Sequence, residues 1–223
     1  GTLVSDNPPS DNFNTVIWDG DNATSRNITA LNFEPDFVWF KSRTLSAYNN
    51  LIDSVRGSTE RLVSDTTAAQ VNQSENGYVS SFSSNGFVLQ QGSSSDATYT
   101  GWYETNQSGQ KYVAWSWKAG GAATTINAGT VSNDVSSDVS ANTDAGFSIV
   151  KYTGTLGAAG NIDVAHGLGA APEIIISKRT DSTGSWRVRP FFLNSNPYNY
   201  LELDTNILIA NVNLTDGTMA MPT

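Results

Sequence analysis

Hydrophobic residues along this chain fall in short runs separated by spacers rich in Gly, Ser, Asn and Asp, and nothing sustains a helical spacing beyond a single turn. One run is written twice. Pro35-Asp36-Phe37-Val38-Trp39-Phe40-Lys41 is matched by Pro172-Glu173-Ile174-Ile175-Ile176-Ser177-Lys178: a proline, an acid, four mostly apolar residues and a lysine. A short apolar run bounded by turn residues predicts a strand buried on both faces, with proline at its start, where no ladder donor is needed. The likeness spreads outward. Phe13 to Gly20 matches Phe147 to Gly154, and Arg61 to Thr66 matches Tyr200 to Thr205. The spacing between partners drifts slightly, as small insertions in surface loops would cause.

The pattern predicts an all-β protein of two related antiparallel β-sandwich, jelly-roll-like units, the second partial. Residues 1–12 read as a linker from a preceding region of a longer protein, 13–121 as the first unit, 122–145 as an Ala/Thr/Ser/Asn linker with strand character around Ile126 to Val139, and 146–223 as the second unit. Within the first unit, Asn27 to Leu31 is expected to return as partner of the first strand, Phe13 to Trp18. Leu51 to Val55 forms another strand, and Asp65 to Gln70 forms one helical turn. Ser83-Ser84-Asn85-Gly86 predicts a hairpin between Val79–Phe82 and Phe87–Gln90. In Lys111 to Lys118 a period of two puts Val113, Trp115 and Trp117 on one large apolar face and Tyr112, Ala114 and Ser116 on the other. Trp39, Trp115 and Trp117 are therefore expected in the core. Asn206 to Val212 reads as a final strand.

Composition agrees with a turn-rich β protein. Of 223 residues, 38% are hydrophobic and only 15% charged, enough to build a core. There is no cysteine, so neither disulfides nor thiolate metal sites are available. A net charge of −9 and a pI near 4.4 argue against nucleic acid or an anionic membrane surface as partner. No stretch reaches the apolar length of a membrane span, so no membrane insertion is expected.

Chemistry is sparse. The single histidine, His166, lacks a nucleophile-elbow motif nearby and reads as a loop imidazole in a turn hydrogen bond. Paired acids could run glycoside hydrolysis. Glu104, beside Trp102-Tyr103, is the acid nearest an aromatic segment, yet the pattern favours no catalytic role and no enzyme. Asp19-Gly20-Asp21-Asn22 offers oxygens a calcium ion would accept, but without the further ligands of a known loop. No metal or cofactor is expected. The aromatic residues near turns, Trp102, Tyr103, Trp186 with Arg187, Tyr198 and Tyr200, are candidates for stacking on a sugar or for a subunit interface. Arg187 and Arg189 alternate with Trp186 and Val188, and are candidates to pair with acids of a neighbouring chain.

A further set of phrases carries a family likeness: Asp53-Ser54-Val55-Arg56-Gly57, Phe82 to Phe87, Tyr112 to Gly121, Ser140 to Val150, and His166-Gly167-Leu168-Gly169-Ala170-Ala171-Pro172-Glu173. Together with the repeat, they resemble the tandem β-domain of tail-fibre and other virion structural proteins of marine bacteriophages, including those of cyanobacteria. The resemblance covers Phe13 to about Thr205, and the second unit lacks a counterpart to Tyr112–Gly121. It implies a virion component on the particle surface, outside the host cell. Its partners would be other virion proteins and further copies of itself, a trimer suiting a fibre, with host-surface glycan as a contact. The expected function is a bacteriophage virion structural protein mediating assembly and host attachment. A lectin-like module recognising host polysaccharide is the alternative, and a polysaccharide depolymerase ranks below it.

Overall fold

The computed structural model describes residues 8–72, 74–127, 135–154, 162–191, 200–205 and 208–209. The chain is all-β, and no α-helix occurs among the described residues. The strands of the first unit are β1 (Phe13–Asp19), β2 (Ser25–Ile28), β3 (Phe37–Ser42), β4 (Asn50–Asp53), β5 (Gly57–Val63), β6 (Val71–Asn72), β7 (Tyr78–Ser83), β8 (Gly86–Gln90) and β9 (Lys111–Trp117). They are followed by β10 (Thr124–Asn127), β11 (Ser136–Asn142), β12 (Phe147–Tyr152), β13 (Ile174–Ser177), β14 (Arg187–Pro190), β15 (Tyr200–Glu202) and β16 (Leu208–Ile209).

A six-stranded sheet, ordered β1-β9-β3-β4-β5-β6, packs on a three-stranded sheet, β2-β8-β7, to make a sandwich. Alternate residues of the large sheet's first strands enter the core: Val16 and Trp18 from β1, Val38 and Phe40 from β3, Ile52 from β4, Tyr112 and Ala114 from β9. They meet Ile28, Val79, Phe87 and Leu89 from the small sheet. Trp18 stacks on Tyr112 at 5.4 Å and meets Phe87 edge-on at 6.0 Å. The Trp18 indole N–H donates to the Thr105 carbonyl at 2.9 Å, so its one polar atom is satisfied in the interior. Burial pushes the Tyr112 phenol up to about 12. The β7–β8 hairpin forms where Asn85-Gly86 places it, with Ser83 opposite Gly86.

Three expectations are corrected. β2 pairs with β8, not with β1, because Ile28 is needed in the small sheet to close the core. Residues 64 and 65 form a turn and 66 a bend, without a helix. On β9 it is the Tyr112, Ala114 and Ser116 face that is fully buried, while Trp115 and Trp117 are only partly covered on the opposite face. β9 lies inside the large sheet, between β1 and β3, and the small side chains of Ala114 and Ser116 let the second sheet approach it.

The outer face of the large sheet is aromatic. Trp117 lies between Phe13 and Phe37, at 4.8 and 5.4 Å, and Trp39 meets Trp115 edge-on at 6.4 Å. This face receives residues from the later strands and loops. Phe147 stacks on Trp117 at 6.1 Å, and Trp186, 4% exposed, packs against Leu51 and Leu62 with Leu203 beside it. The Trp186 indole N–H donates to the Val63 carbonyl at 2.8 Å, while backbone hydrogen bonds run from Gln70 to Thr180 and from Gly184 to Thr67.

Residues 122–145, read as a linker with strand character around Ile126 to Val139, supply β10 and β11, which join β12 in a three-stranded sheet. The link into this sheet is fixed by Asp36. Its carboxylate accepts the N–H groups of Ala119 at 2.8 Å and Gly121 at 3.2 Å. At Gly120 a Cβ would lie 2.4 Å from the Ala141 carbonyl oxygen, so the close approach of the two segments requires glycine.

The duplication is visible in the hydrogen-bonding register. β3 and β4 pair Phe37 with Asp53, Val38 with Ile52, Trp39 with Leu51 and Phe40 with Asn50. At the equivalent positions β13 and β14 pair Ile174 with Pro190, Ile175 with Arg189, Ile176 with Val188 and Ser177 with Arg187. The next strand continues the match, Leu51 opposite Leu62 becoming Val188 opposite Leu201. The Ser54 N–H donates to the Asp36 carbonyl at 2.8 Å, and Phe191 does the same to Glu173 at 2.8 Å. Of the final strand expected over Asn206–Val212, residues 206–207 and 210–212 lie outside the described residues.

Candidate functional site

One end of the first sandwich gathers residues from three segments: the loop before β4, the end of β5, and the turn at 101–106 that leads into β9. Glu104 is only 3% exposed. Its carboxylate accepts from the Asn50 amide at 3.0 Å and from an Arg61 Nη1 at 3.5 Å, and the same Nη1 donates to the Asn50 Oδ1 at 3.1 Å. Burial pushes the Glu104 carboxyl up from its ordinary value and the Arg61 guanidinium down, each against the partial compensation of the other. Both shifts report a charge pair held away from water, with desolvation outweighing attraction.

Above this pair lies a group of tyrosines. Arg61 sits over the Tyr48 ring at 5.6 Å. Tyr99 and Tyr103 meet edge to face at 5.1 Å, and the Tyr103 hydroxyl donates to the Ser46 carbonyl at 3.3 Å, tying the two loops together. Burial raises the Tyr103 phenol, with smaller contributions from Tyr99 and Glu104. Tyr48 and Tyr99 remain 47% and 53% exposed. The arrangement offers ring faces and hydroxyl edges to solvent on a support of charged hydrogen bonds. Such a surface can stack on a sugar ring or on an apolar side chain of a partner.

Of the residues singled out in the sequence, Tyr103 belongs to this cluster. Trp102 adjoins it, half-buried, with its indole N–H donating to the Ala23 carbonyl at 3.2 Å. Trp186 is elsewhere and is covered by the first unit, so its ring is not available to a ligand. Tyr200 is also buried, beneath the exposed Arg187, whose guanidinium lies over its ring at 5.0 Å. Arg189 lies over the Phe191 ring at 5.9 Å. Tyr198 lies outside the described residues. Tyr48 and Arg61 were missed because nothing in a loop tyrosine or a strand arginine announces that they converge. Tyr99 was in the aromatic segment but carried no signal separating it from its neighbours.

The remaining polar candidates are engaged in structure. Asp21 accepts from Ala23 N–H at 2.9 Å and from the Asn106 amide at 2.7 Å, and pairs with Arg26 at 3.2 Å. The Ala23 hydrogen bond is the first cause of its lowered carboxyl pKa. Asp19 pairs with Lys111 at 2.9 Å. Among the described residues no three His, Asp or Glu side chains converge as metal ligands would. His166 accepts the Leu168 N–H at Nδ1, 3.2 Å away. An open groove of about 790 Å³ borders the Ala119–Gly121 link, but the Asp36 carboxylate at its wall is already filled by Ala119, Gly121 and Ser54. Among the described residues no helix is long and apolar enough to cross a membrane.

Residues 8–221 match a family model described as a domain of unknown function, DUF7483. No curated protein and no solved structure matches the chain.

Proposed function

The chain belongs to the DUF7483 family, and we propose that it is a structural and interaction module of a bacteriophage virion, working in a fibre or particle appendage with other virion proteins and further copies of itself. The observation that carries this reading is the ladder built twice in one register and fastened into a single piece by Trp186. Repetition is useful in a building element, because weak contacts shown on many copies gain roughly 10² to 10⁴ in avidity when they engage together. Glu104, the buried carboxylate beside the tyrosine cluster, has both oxygens occupied by Asn50 and Arg61 and offers no face to a glycosidic bond, which weighs against a hydrolase. Immunogold labelling of particles from a phage encoding this chain tests the proposal. Label on head, tail or fibre is expected; purified particles free of the chain would remove it.

A second reading, a carbohydrate-binding module, is favoured by one observation, the exposed Tyr48 and Tyr99 beside Tyr103. Host-surface polysaccharides arrayed against the purified chain separate it from a purely architectural role. Binding lost on replacing Tyr99 supports it, and silence at millimolar ligand removes it.

A further inference from the structure

The two copies of the β-meander differ in what lies beside their first strand. β3 has β4 on one side and β9 on the other, while β13 has β14 on one side and, among the described residues, no strand on the other. Because β3–β4 and β13–β14 share one register, the open side of β13 is the side on which β3 receives β9. The side chains show the same vacancy. Phe37 and Trp39 are partly covered, with Trp117 and Trp115 opposite them, whereas their counterparts Ile174 and Ile176 are each 51% exposed. Within its four residues β13 lacks two of the devices that blunt a free edge. Its sequence, Ile-Ile-Ile-Ser, has no charge and no proline.

We propose that the open edge of β13 receives an antiparallel strand from a partner polypeptide with the alternation of β9. Aromatic or large apolar side chains would stand opposite Ile174 and Ile176, with small ones opposite Ile175 and Ser177. The first unit shows why a single strand satisfies both needs. β9 hydrogen-bonds the edge of β3 and, through the same residues, places Trp117 opposite Phe37 and Trp115 opposite Trp39. Main-chain bonds would supply affinity, and the alternate side chains the choice of partner. The corresponding positions of this chain do not favour docking of the first unit of a second copy. Trp186 and Leu203, which share one cluster with Phe37 and Trp39, are replaced in the first repeat by Asn49 and Ser64, both polar.

The test uses the intact chain and a synthetic peptide of residues 110–119, which contains β9. Saturable binding is expected, with slowed amide exchange at residues 174–177. Affinity should fall at least tenfold when Ile174→Lys and Ile176→Lys are introduced together, and again when both tryptophans of the peptide are changed to serine. Circular dichroism and urea midpoint should stay unchanged, since both isoleucines face solvent. No saturable binding at millimolar peptide, or protection confined to other strands, overturns the proposal. Concentration-dependent dimerisation abolished by the same two lysines, without peptide binding, overturns it in favour of a second copy pairing edge to edge through β13.

Discussion

The backbone N–H of Trp186 donates to Oδ1 of Asp204 at 2.8 Å. One repeat earlier the Asn49 N–H makes the same bond to Asp65 at 3.1 Å. Each bond closes the end of a strand pair, and each is accompanied by a second: Leu203 N–H to the Trp186 carbonyl, and Ser64 N–H to the Asn49 carbonyl. The aspartate is thus a fixed part of the repeated unit, although the residue it holds differs completely between copies.

Replacing Asp204 with alanine should lower stability by about 1.5–3 kcal/mol, the usual value of a hydrogen bond to a charged group. Asp65→Ala should cost less, because Asp65 is exposed and Asp204 is not. Urea unfolding of the two variants checks the order. Equal losses, or a larger one at Asp65, would contradict the assignment.

Trp186→Ala removes the ring that covers Leu51 and Leu62 together with its bond to Val63. A cost of about 3–5 kcal/mol is expected for a buried tryptophan. Because that ring belongs to one unit and its neighbours to the other, calorimetry should show a single transition splitting into two. A variant that still melts as one unit would mean that the remaining contacts suffice to couple the halves.

Glu104 makes stability depend on pH in an unusual sense for a carboxylate. Burial raises its folded pKa above the ordinary 4.5, so the folded chain holds the proton more tightly than the unfolded one. Its contribution is fully present below about 4.5 and is lost as pH rises through the folded value. The difference in urea midpoint between the wild type and Glu104→Gln should therefore shrink in the wild type's disfavour as pH rises from 4 toward neutrality. A flat difference, or one of opposite slope, would show that Arg61 and Asn50 outweigh desolvation.

Tyr99→Ala should leave the fold within about 0.5 kcal/mol of the wild type, as an exposed substitution does. On the carbohydrate reading it should weaken glycan binding about tenfold, corresponding to the loss of one aromatic contact. Isothermal titration with the polysaccharide selected on the array measures both wild type and variant.

Much of the architecture was legible in the sequence because a buried strand leaves a strong local mark. The proline, acid and apolar run at Pro35 and Pro172 located the meander in both copies, and Asn85-Gly86 located a hairpin. Legibility ended where neighbours decide. β9 displays three large residues on one face, yet Ala114 and Ser116 on the other are the ones the second sheet can approach, and only the position of β9 in the sheet reveals this. β10 and β11 are built from small and polar residues whose pairing depends on β12 rather than on their own pattern. For the site, Tyr103 stood out by its aromatic company, while Arg61 and Tyr48 reach it from a strand and a loop that the sequence does not connect. Trp186 was conspicuous for the right reason, its size, but the surface it binds belongs to the same molecule.

Asn49 and Trp186 occupy one place in two copies of a repeated pattern. A polar residue there leaves a copy self-sufficient, while an indole makes it depend on its sibling for shelter from water. Cut loose from its sibling, the trailing copy would bare that indole to water, so the two copies have to be handled as one block.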